Sequence, residues 1–508
     1  MVKRLERIAI IDLGSNTARL LLIDVKNNGH FHIVDQLKEA PRLGEGMERD
    51  GFLKPARIQE TIRTLKMFRK LCDVNGIEHI IAVATAAVRR AKNQRSFLDE
   101  VSATCGIKLH VLSAEEEALN VYRGVINTMD IPKGIILEIG GGSTKIVYYN
   151  RRNLLNYETL PFGAITLTEL FANDGLSPQE QADKIEEFFT EQLKNIPWLK
   201  EIDPEVQMIG VGGSFRNICR MTKIMKKYPL KTIHNYVVND TDFNHVYELL
   251  KGLELDRKKK IKGLSSGRAD ILPSALAAIS AFKKYTNLSN IVISGSGLRT
   301  GIMYNYAVPT TIDKPISDVL THSLNSLVDF FGCDQKHTEQ VVNLSVQLFK
   351  QLRVLHKFPR QYLKILKIAA YLYDTGKNVG FYNYEKHSGY VILNSNIYGV
   401  SHRDLVMASF VVANTVIEDI NVAEWSRYRD LVNDEDVDAV RKMGIMLRLA
   451  NSFDRSLSSV VKGINCDILG DSVIMKTEVE GDATLEIDTA METASDFRKI
   501  FKKNLEIL

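Results

Sequence analysis

Residues Gly134 to Tyr149 read GIILEIGGGSTKIVYY. The apolar run Ile135, Ile136, Leu137 leads into an acid, Glu138, and after Ile139 come Gly140, Gly141 and Gly142. Ser143, Thr144 and Lys145 follow, and a second apolar run opens at Ile146. Two short β-rich runs joined by a small polar loop predict a strand–turn–strand hairpin. Glycines carry no Cβ, so their backbone N–H groups can approach a ligand closely. Successive inward N–H groups make a concavity suited to phosphate. The hydroxyls of Ser143 and Thr144 add donors, and Glu138 at the strand end could hold a hydrated cation. Alone, such a stretch is more often a tight structural turn.

A second copy changes that balance. Ile8 to Asp24 reads IAIIDLGSNTARLLLID. With Asp12 on Glu138, Leu13 falls on Ile139, Gly14 on Gly140, Thr17 on Ser143 and Arg19 on Lys145. An internal repeat must be read before anything else. This one is far longer than a solenoid period, so it predicts two duplicated domains, each offering one anion-binding hairpin to a shared cleft. Asp12 and Glu138 end equivalent strands and are expected to face each other across it. Two facing phosphate loops with an acid each make a site for a phosphate chain.

The chain of 508 residues is long enough for three or four domains with large cores. Its net charge is only +4, so a polyanion site must come from local clustering. Cys72, Cys105, Cys219, Cys333 and Cys466 lie far apart with no C-x-x-C pair, which fits reduced thiols better than disulfides or zinc. No apolar run approaches a membrane span, and the start of the chain carries no signal-peptide pattern. These features predict a cytoplasmic protein.

Along the chain, Phe31 to Leu37 reads as a strand. Pro55 opens a helix whose apolar face is Ile58, Ile62, Leu65, Phe68 and Leu71, stopped at Gly76. His79 to Ala84 is a further strand, running into Thr85, Arg89 and Arg90, and Lys108 to Leu112 is another. Ser113-Ala-Glu-Glu116 fits a capping box, which gives Glu116 to the helix end and leaves Glu117 without a structural task. Gln207 to Val211 and Asn290 to Ile293 are strands ending in glycine-rich loops, an α/β pattern with ligand sites at strand ends. Basic clusters at Lys223 to Lys227 and Arg257 to Lys262 are either solvated helix faces or contacts for a long polyanion. From about Asp313 the periodicity turns helical. The segment from Gly463 reads as a small α+β unit, with strands at Ser472 to Thr477 and Ala483 to Ile487 and a terminal helix.

The ordered set Asp12-Leu-Gly-Ser-Asn-Thr, Thr85 to Arg89, Ser113 to Ala118, Gly140-Gly-Gly-Ser-Thr and Ser294 to Gly301 resembles the exopolyphosphatase/guanosine pentaphosphate phosphohydrolase family. The resemblance implies two duplicated actin-like and sugar-kinase-like (ribonuclease H-like) α/β domains around a cleft, then an all-α HD-like domain and a small α+β unit. The expected domains are 1–130, 131–306, 313–460 and 461–508. It further implies hydrolysis of terminal phosphoanhydride bonds, with Glu117 as the catalytic glutamate. Phosphate would be bound by Gly14, Ser15, Asn16, Thr17, Arg89, Gly140, Gly141, Gly142, Ser143 and Thr144. Arg19, Lys145 and Arg299 would add substrate contacts. Asp12 and Glu138 would hold Mg²⁺, with K⁺ as a candidate second ion.

Two positions depart from the family pattern: Glu138 replaces the usual aspartate, and Lys145 stands where many relatives have glutamate. In the HD-like region His337 and Asp454 match outer metal ligands, but the His-Asp pair reads Tyr373-Asp374. A neutral tyrosine does not replace imidazole as a ligand for a divalent metal. The region therefore reads as a metal-poor remnant used for binding or dimerisation. The expected partners are polyphosphate or the alarmone pppGpp, and a second copy of the chain in a homodimer, with no nucleic acid and no membrane span. Polyphosphate is favoured, on the basic clusters. A kinase of the same superfamily would need a nucleotide pocket at Gly210 to Ser214, and a non-catalytic polyphosphate or alarmone sensor is the other alternative.

Overall fold

The computed structural model describes residues 5–172, 175–415 and 422–508. The chain divides into two compact units, Met1–Tyr228 with Ile233–Ser317, and Asp318–Leu508 with Pro229–Thr232. Among the described residues no helix is long and apolar enough to cross a membrane.

The first unit contains the same sheet twice. β1 (Leu5–Leu13), β2 (Ala18–Lys26), β3 (Phe31–Glu39), β4 (Ile80–Ala84) and β5 (His110–Val111) lie in the order β3-β2-β1-β4-β5. β6 (Lys133–Ile139), β7 (Thr144–Asn150), β8 (Asn153–Leu160) and β9 (Gln207–Val211) begin the second sheet. β10 (Tyr236–Val238) and β11 (Ile291–Ile293) complete it in the order β10-β11-β9-β6-β7-β8. β1 and β6 each pair antiparallel with the next strand and parallel with a later one, β4 or β9. β10 is an added antiparallel edge.

The register of the two hairpins matches the sequence repeat. Asp12 lies opposite Arg19, and Glu138 lies opposite Lys145. Both loops close with one equivalent bond: Gly14 N–H donates to the Thr17 carbonyl at 3.0 Å, and Gly140 N–H to that of Ser143 at 2.9 Å. The glycines have a further role. A Cβ on Gly142 would come within 2.7 Å of Ser15 Oγ, and one on Gly141 within 3.1 Å of Asn16 N, so the two loops pack against each other.

Among the described residues, three apolar cores hold this unit. One lies on the outer face of the first sheet under the helix Pro55–Val74, and one on the outer face of the second. The third is shared: Ile8, Ile10 and Leu21 from one sheet, and Ile136, Val147 and Ile209 from the other, enclose Val121, Val125, Ile302 and Met303. Those last four belong to the helices Ala114–Ile126 and Leu298–Ala307. The two helices cross at glycines. A Cβ on Gly301 would lie 1.9 Å from the Asn120 carbonyl oxygen, and one on Gly124 would lie 2.2 Å from that of Gly297. Asn305 Nδ2 adds a 2.7 Å bond to Asn120 Oδ1.

From Val319 to Ser452 the regular elements of the described residues in the second unit are helices. The unit then forms a sheet of β12 (Val461–Ile468), β13 (Ser472–Val479) and β14 (Asn504–Ile507), in that order. The expected strand at Ala483 to Ile487 is instead the start of the helix Thr484–Met491. Asp482 Oδ1 takes the Thr484 N–H at 3.0 Å and its hydroxyl at 2.6 Å, a local side-chain stop that favours a helix start. Glu486 is buried and accepts the Ser456 N–H at 3.0 Å, so the polar half of the apparent alternation faces inward.

The basic clusters are also revised in part. Lys258 is buried, and so is Lys223, whose ammonium lies over the rings of Tyr228 and Tyr236. Lys226 pairs with Asp242 at 2.5 Å. Lys223 and Lys258 thus serve the packing of the second sheet, and Lys226 is held by an acid.

The glycine crossing generates a stability prediction. Gly301→Ala places a methyl group against backbone, where overpacking costs about 1–3 kcal/mol. Urea unfolding is expected to show a lower midpoint at unchanged slope, and an unchanged midpoint would mean that the helices can separate freely.

Candidate active site

The helix Ala114–Ile126 begins with a complete capping box. Ser113 Oγ accepts the Glu116 N–H at 3.0 Å, and Glu116 Oε2 accepts the Ser113 N–H at 2.7 Å. The Ser113 N–H first, and His110 after it, hold the Glu116 carboxyl below its ordinary pKa. Glu117 is the next residue round the helix and points into the unit, only 3% exposed. Its Oε1 accepts a hydrogen bond from Lys145 Nζ, and its Oε2 one from Arg89 Nη1 at 3.0 Å. The same Arg89 nitrogen donates to the Leu112 carbonyl at 2.8 Å, which fixes the guanidinium beside the helix start.

Lys145 Nζ also lies 3.5 Å from Glu138 Oε2. Burial opposes the charge on Lys145, but Glu117 and Glu138 outweigh it and hold the ammonium above its ordinary pKa. Glu138 and Asp12 both titrate above the usual carboxylate range. Burial is the leading cause in each, with Lys145 working against it for Glu138, and Arg299 and Arg19 for Asp12. Asp12, Glu117, Glu138 and Lys145 therefore form one coupled group beneath the paired hairpin tips.

Around this group stands a field of cations. Arg299, at the start of the helix Leu298–Ala307, is pushed down to about 10 by burial and by Arg19. Arg268 is likewise pushed down to about 10, by burial and then Arg19. Arg216 falls well below the ordinary guanidinium value, through burial and its neighbours Arg19 and Arg299. Lys38 at the rim drops to about 8, by burial and by Arg19, Arg268, Arg220 and Arg216. Buried cations that depress one another are relieved when an anion arrives.

The hydrogen bonds leave the same gap. Asn16 Nδ2 and Oδ1, Arg19 Nε, Arg216 Nε and Arg268 Nη1 are buried with no partner. An unsatisfied buried donor costs about 1–3 kcal/mol, so such a set marks where a ligand rich in acceptors would complete the structure.

The structure brings Asp12, Asn16, Arg19, Arg89, Glu117, Glu138, Lys145 and Arg299 into this site, and the loops Gly14–Thr17 and Gly140–Ser143 line it. The Thr144 hydroxyl is engaged elsewhere, donating to the Phe162 carbonyl at 2.7 Å. Arg216, Arg268 and Lys38 were not expected. Arg216 stands just beyond the Gly210 to Ser214 loop, whose position was a usable signal for it. Arg268 comes from a short 3₁₀ turn with no motif around it. Its guanidinium lies over Gly213, within 2.3 Å of where a Cβ would be, and so fills the loop at which a kinase would need a nucleotide.

In the second unit, His337 Nδ1 lies 2.8 Å from Asp454 Oδ2, and its Nε2 lies 3.2 Å from Asn451 Oδ1 and 3.7 Å from Asp374 Oδ2. Lys377 Nζ donates to the same Asp374 oxygen at 2.7 Å. Tyr373 is buried, its phenol pushed up to about 12 by burial and hydrogen-bonded with that of Tyr384 at 3.0 Å. Among the described residues, no group of three or more His, Cys, Asp or Glu side chains could hold a metal ion, in either unit.

Comparison with known proteins identifies the family. The family model described as the Ppx/GppA phosphatase family matches residues 22–308, and that of Ppx/GppA phosphatase domain III matches residues 319–491. A guanosine-5'-triphosphate,3'-diphosphate pyrophosphatase of Pseudoalteromonas translucida is 25% identical over 412 residues, covering 78% of each chain. The crystal structure of an exopolyphosphatase from Cytophaga hutchinsonii is 27% identical, with a TM-score of 0.55 over 59% of this chain and 98% of that one. An Aquifex aeolicus member of the Ppx/GppA family is 25% identical, with a TM-score of 0.51 over 60% and 99%. With both its parts matched and phosphoanhydride-hydrolase relatives on either side, the chain belongs to the Ppx/GppA phosphatase family and is a phosphatase of that class.

Proposed function

We propose that the protein is an exopolyphosphatase, releasing orthophosphate from the end of inorganic polyphosphate. The observation that carries this reading is a buried glutamate, Glu117, fixed by two cations in a site rich in unpaired guanidinium donors. Phosphoryl transfer through a loose transition state asks the protein chiefly for positioning and charge neutralisation. Each Glu117 oxygen uses one lone-pair direction on Arg89 or Lys145 and keeps another for water. Glu117 thus orients the attacking water and takes its proton. The water oxygen bonds to the terminal phosphorus as the bridging P–O bond breaks, and that electron pair leaves with the shortened chain. Arg89 and the loops Gly14–Thr17 and Gly140–Ser143 hold the terminal phosphate. Arg19, Arg299, Arg216 and Arg268 receive the phosphates behind it.

Divalent-metal dependence is general in this family, and the resemblance put Mg²⁺ on Asp12 and Glu138. The residues present do not fit that assignment. Lys145 already neutralises Glu117 and faces Glu138, and cations around the site outnumber its three carboxylates, Asp12, Glu117 and Glu138.

The second reading, a pppGpp 5'-phosphohydrolase, is favoured by one observation: the pyrophosphatase relative aligns over much more of the chain than the exopolyphosphatase structure does. In this reading the protein works as a cytoplasmic homodimer, its five free cysteines in keeping with a reducing compartment.

Phosphate release from long polyphosphate and from pppGpp, measured in parallel, decides between the substrates. A higher kcat/KM for polyphosphate is expected, and the reverse order would transfer the protein to the alarmone. In Glu117→Gln, kcat is expected to fall about 10²- to 10⁴-fold with KM nearly unchanged. Glu116→Gln is expected to cost about 1 kcal/mol of stability and leave turnover near normal. A Glu117→Gln protein retaining a tenth of normal activity would remove Glu117 from its role. The cluster at His337 has no hydrolytic part in this reading, because Tyr373, Asn451 and Lys377 occupy the contacts a metal would need. Full-length Glu117→Gln protein is therefore expected to release no phosphate from nucleotides with manganese or iron, and metal-dependent release would reassign the second unit.

A further inference from the structure

We propose that Lys145 is the resident cation of this site: its ammonium lies between Glu117 and Glu138 and so engages one of the two carboxylates that a divalent ion on Asp12 and Glu138 would need. The inference deepens the hydrolase reading above and rests on it for its catalytic meaning.

Three observations converge. The hairpin register sets the partner, since Lys145 lies directly opposite Glu138 on β6 and β7, as Arg19 lies opposite Asp12 on β1 and β2. Each strand-end acid is thus supplied with its own counter-cation by the strand beside it. Burial then sets the occupancy. The Lys145 side chain is 3% exposed and its ammonium contacts Glu117 as well as Glu138, so the charge has no route to solvent. A buried charge is retained only where it is paired and hydrogen-bonded. Finally, the donor set is wrong for a metal. Mg²⁺ takes carboxylates together with several waters in a strict octahedron. Here one oxygen of Glu117 and one of Glu138 face an ammonium, and the remaining neighbours are Arg89, Arg19 and Arg299.

The chemistry follows from that position. A cation beside both the water-orienting carboxylate and the incoming phosphate screens their mutual repulsion, which is one service a metal renders in phosphoryl transfer. Lys145 supplies it as a fixed single charge. Any divalent ion that accompanies the polyanion is then a counter-ion of the substrate and not a ligand of Asp12 and Glu138. Lys145 acts through Glu117 and is a positioning residue.

The test is Mn²⁺ uptake by the full-length protein without substrate, followed by the electron-paramagnetic signal of free Mn²⁺. The wild type and Lys145→Arg are expected to bind no stoichiometric Mn²⁺ in the micromolar range. Lys145→Gln is expected to take up one ion per chain, tighter by about tenfold or more, and to lose it again when Glu138→Gln is added. One Mn²⁺ bound by the wild type and lost in Glu138→Gln would overturn the proposal, and so would uptake by neither the wild type nor Lys145→Gln. Circular dichroism of each variant identifies any that fail to fold, and the wild-type titration with Glu138→Gln stands without them. Phosphate release by the same wild-type sample reports separately on the hydrolase reading: a protein inert toward polyphosphate and pppGpp would end that reading while the Mn²⁺ titration still decides the place of Lys145.

Discussion

An ammonium enclosed by protein needs carboxylates within reach, and the bond from Lys145 to Glu117 is where the two halves of the first unit meet that demand. Lys145 comes from the second sheet and Glu117 from the helix that follows the first. The pair therefore joins the halves at the one point where both must be held in register. The capping box sets the turn of the helix on which Glu117 lies, and the Glu138–Lys145 register sets the depth of the ammonium. Neither residue can be buried safely without the other.

The two hairpins follow one plan with different outcomes. Asp12 and Arg19 stand opposite each other, as do Glu138 and Lys145. Arg19 keeps a buried Nε with no partner, whereas Lys145 is drawn fully onto Glu117 and Glu138. A long guanidinium fork left partly unsatisfied suits recognition of phosphate oxygens, and a compact ammonium suits a fixed charge. The duplicated scaffold thus carries one cation with a free donor and one that is fully paired.

Much of this was legible in the sequence because its signals are local. The acid, loop and base recur at matching offsets, and a capping box spends Glu116 while sparing Glu117. The glycines were legible in place but not in purpose: Gly141 and Gly142 are required by Ser15 and Asn16 of the other loop, a contact between distant segments. Arg216 and Arg268 escaped for a similar reason, since only the folded chain brings them beside Arg19. Lys223 and Lys258 looked like surface charges because sequence reports sign and not depth. At Ala483 to Ile487 a short alternation imitated a strand, whereas the Asp482 carboxylate, accepting from the Thr484 N–H and hydroxyl, favours a helix start there.

The shared core bears on how such a molecule could have arisen. The apolar side chains of the helix Ala114–Ile126, Val121 and Val125 among them, are covered jointly by both sheets and by the helix Leu298–Ala307. A lone half would present that surface to water and gain too little burial to offset its chain entropy. Its equivalent partner would be another copy of itself, related by a twofold axis between the hairpin tips. Fusion of two such copies frees each to diverge, and an asymmetric pair such as Arg19 and Lys145 is open only to a chain whose halves are no longer bound to be identical.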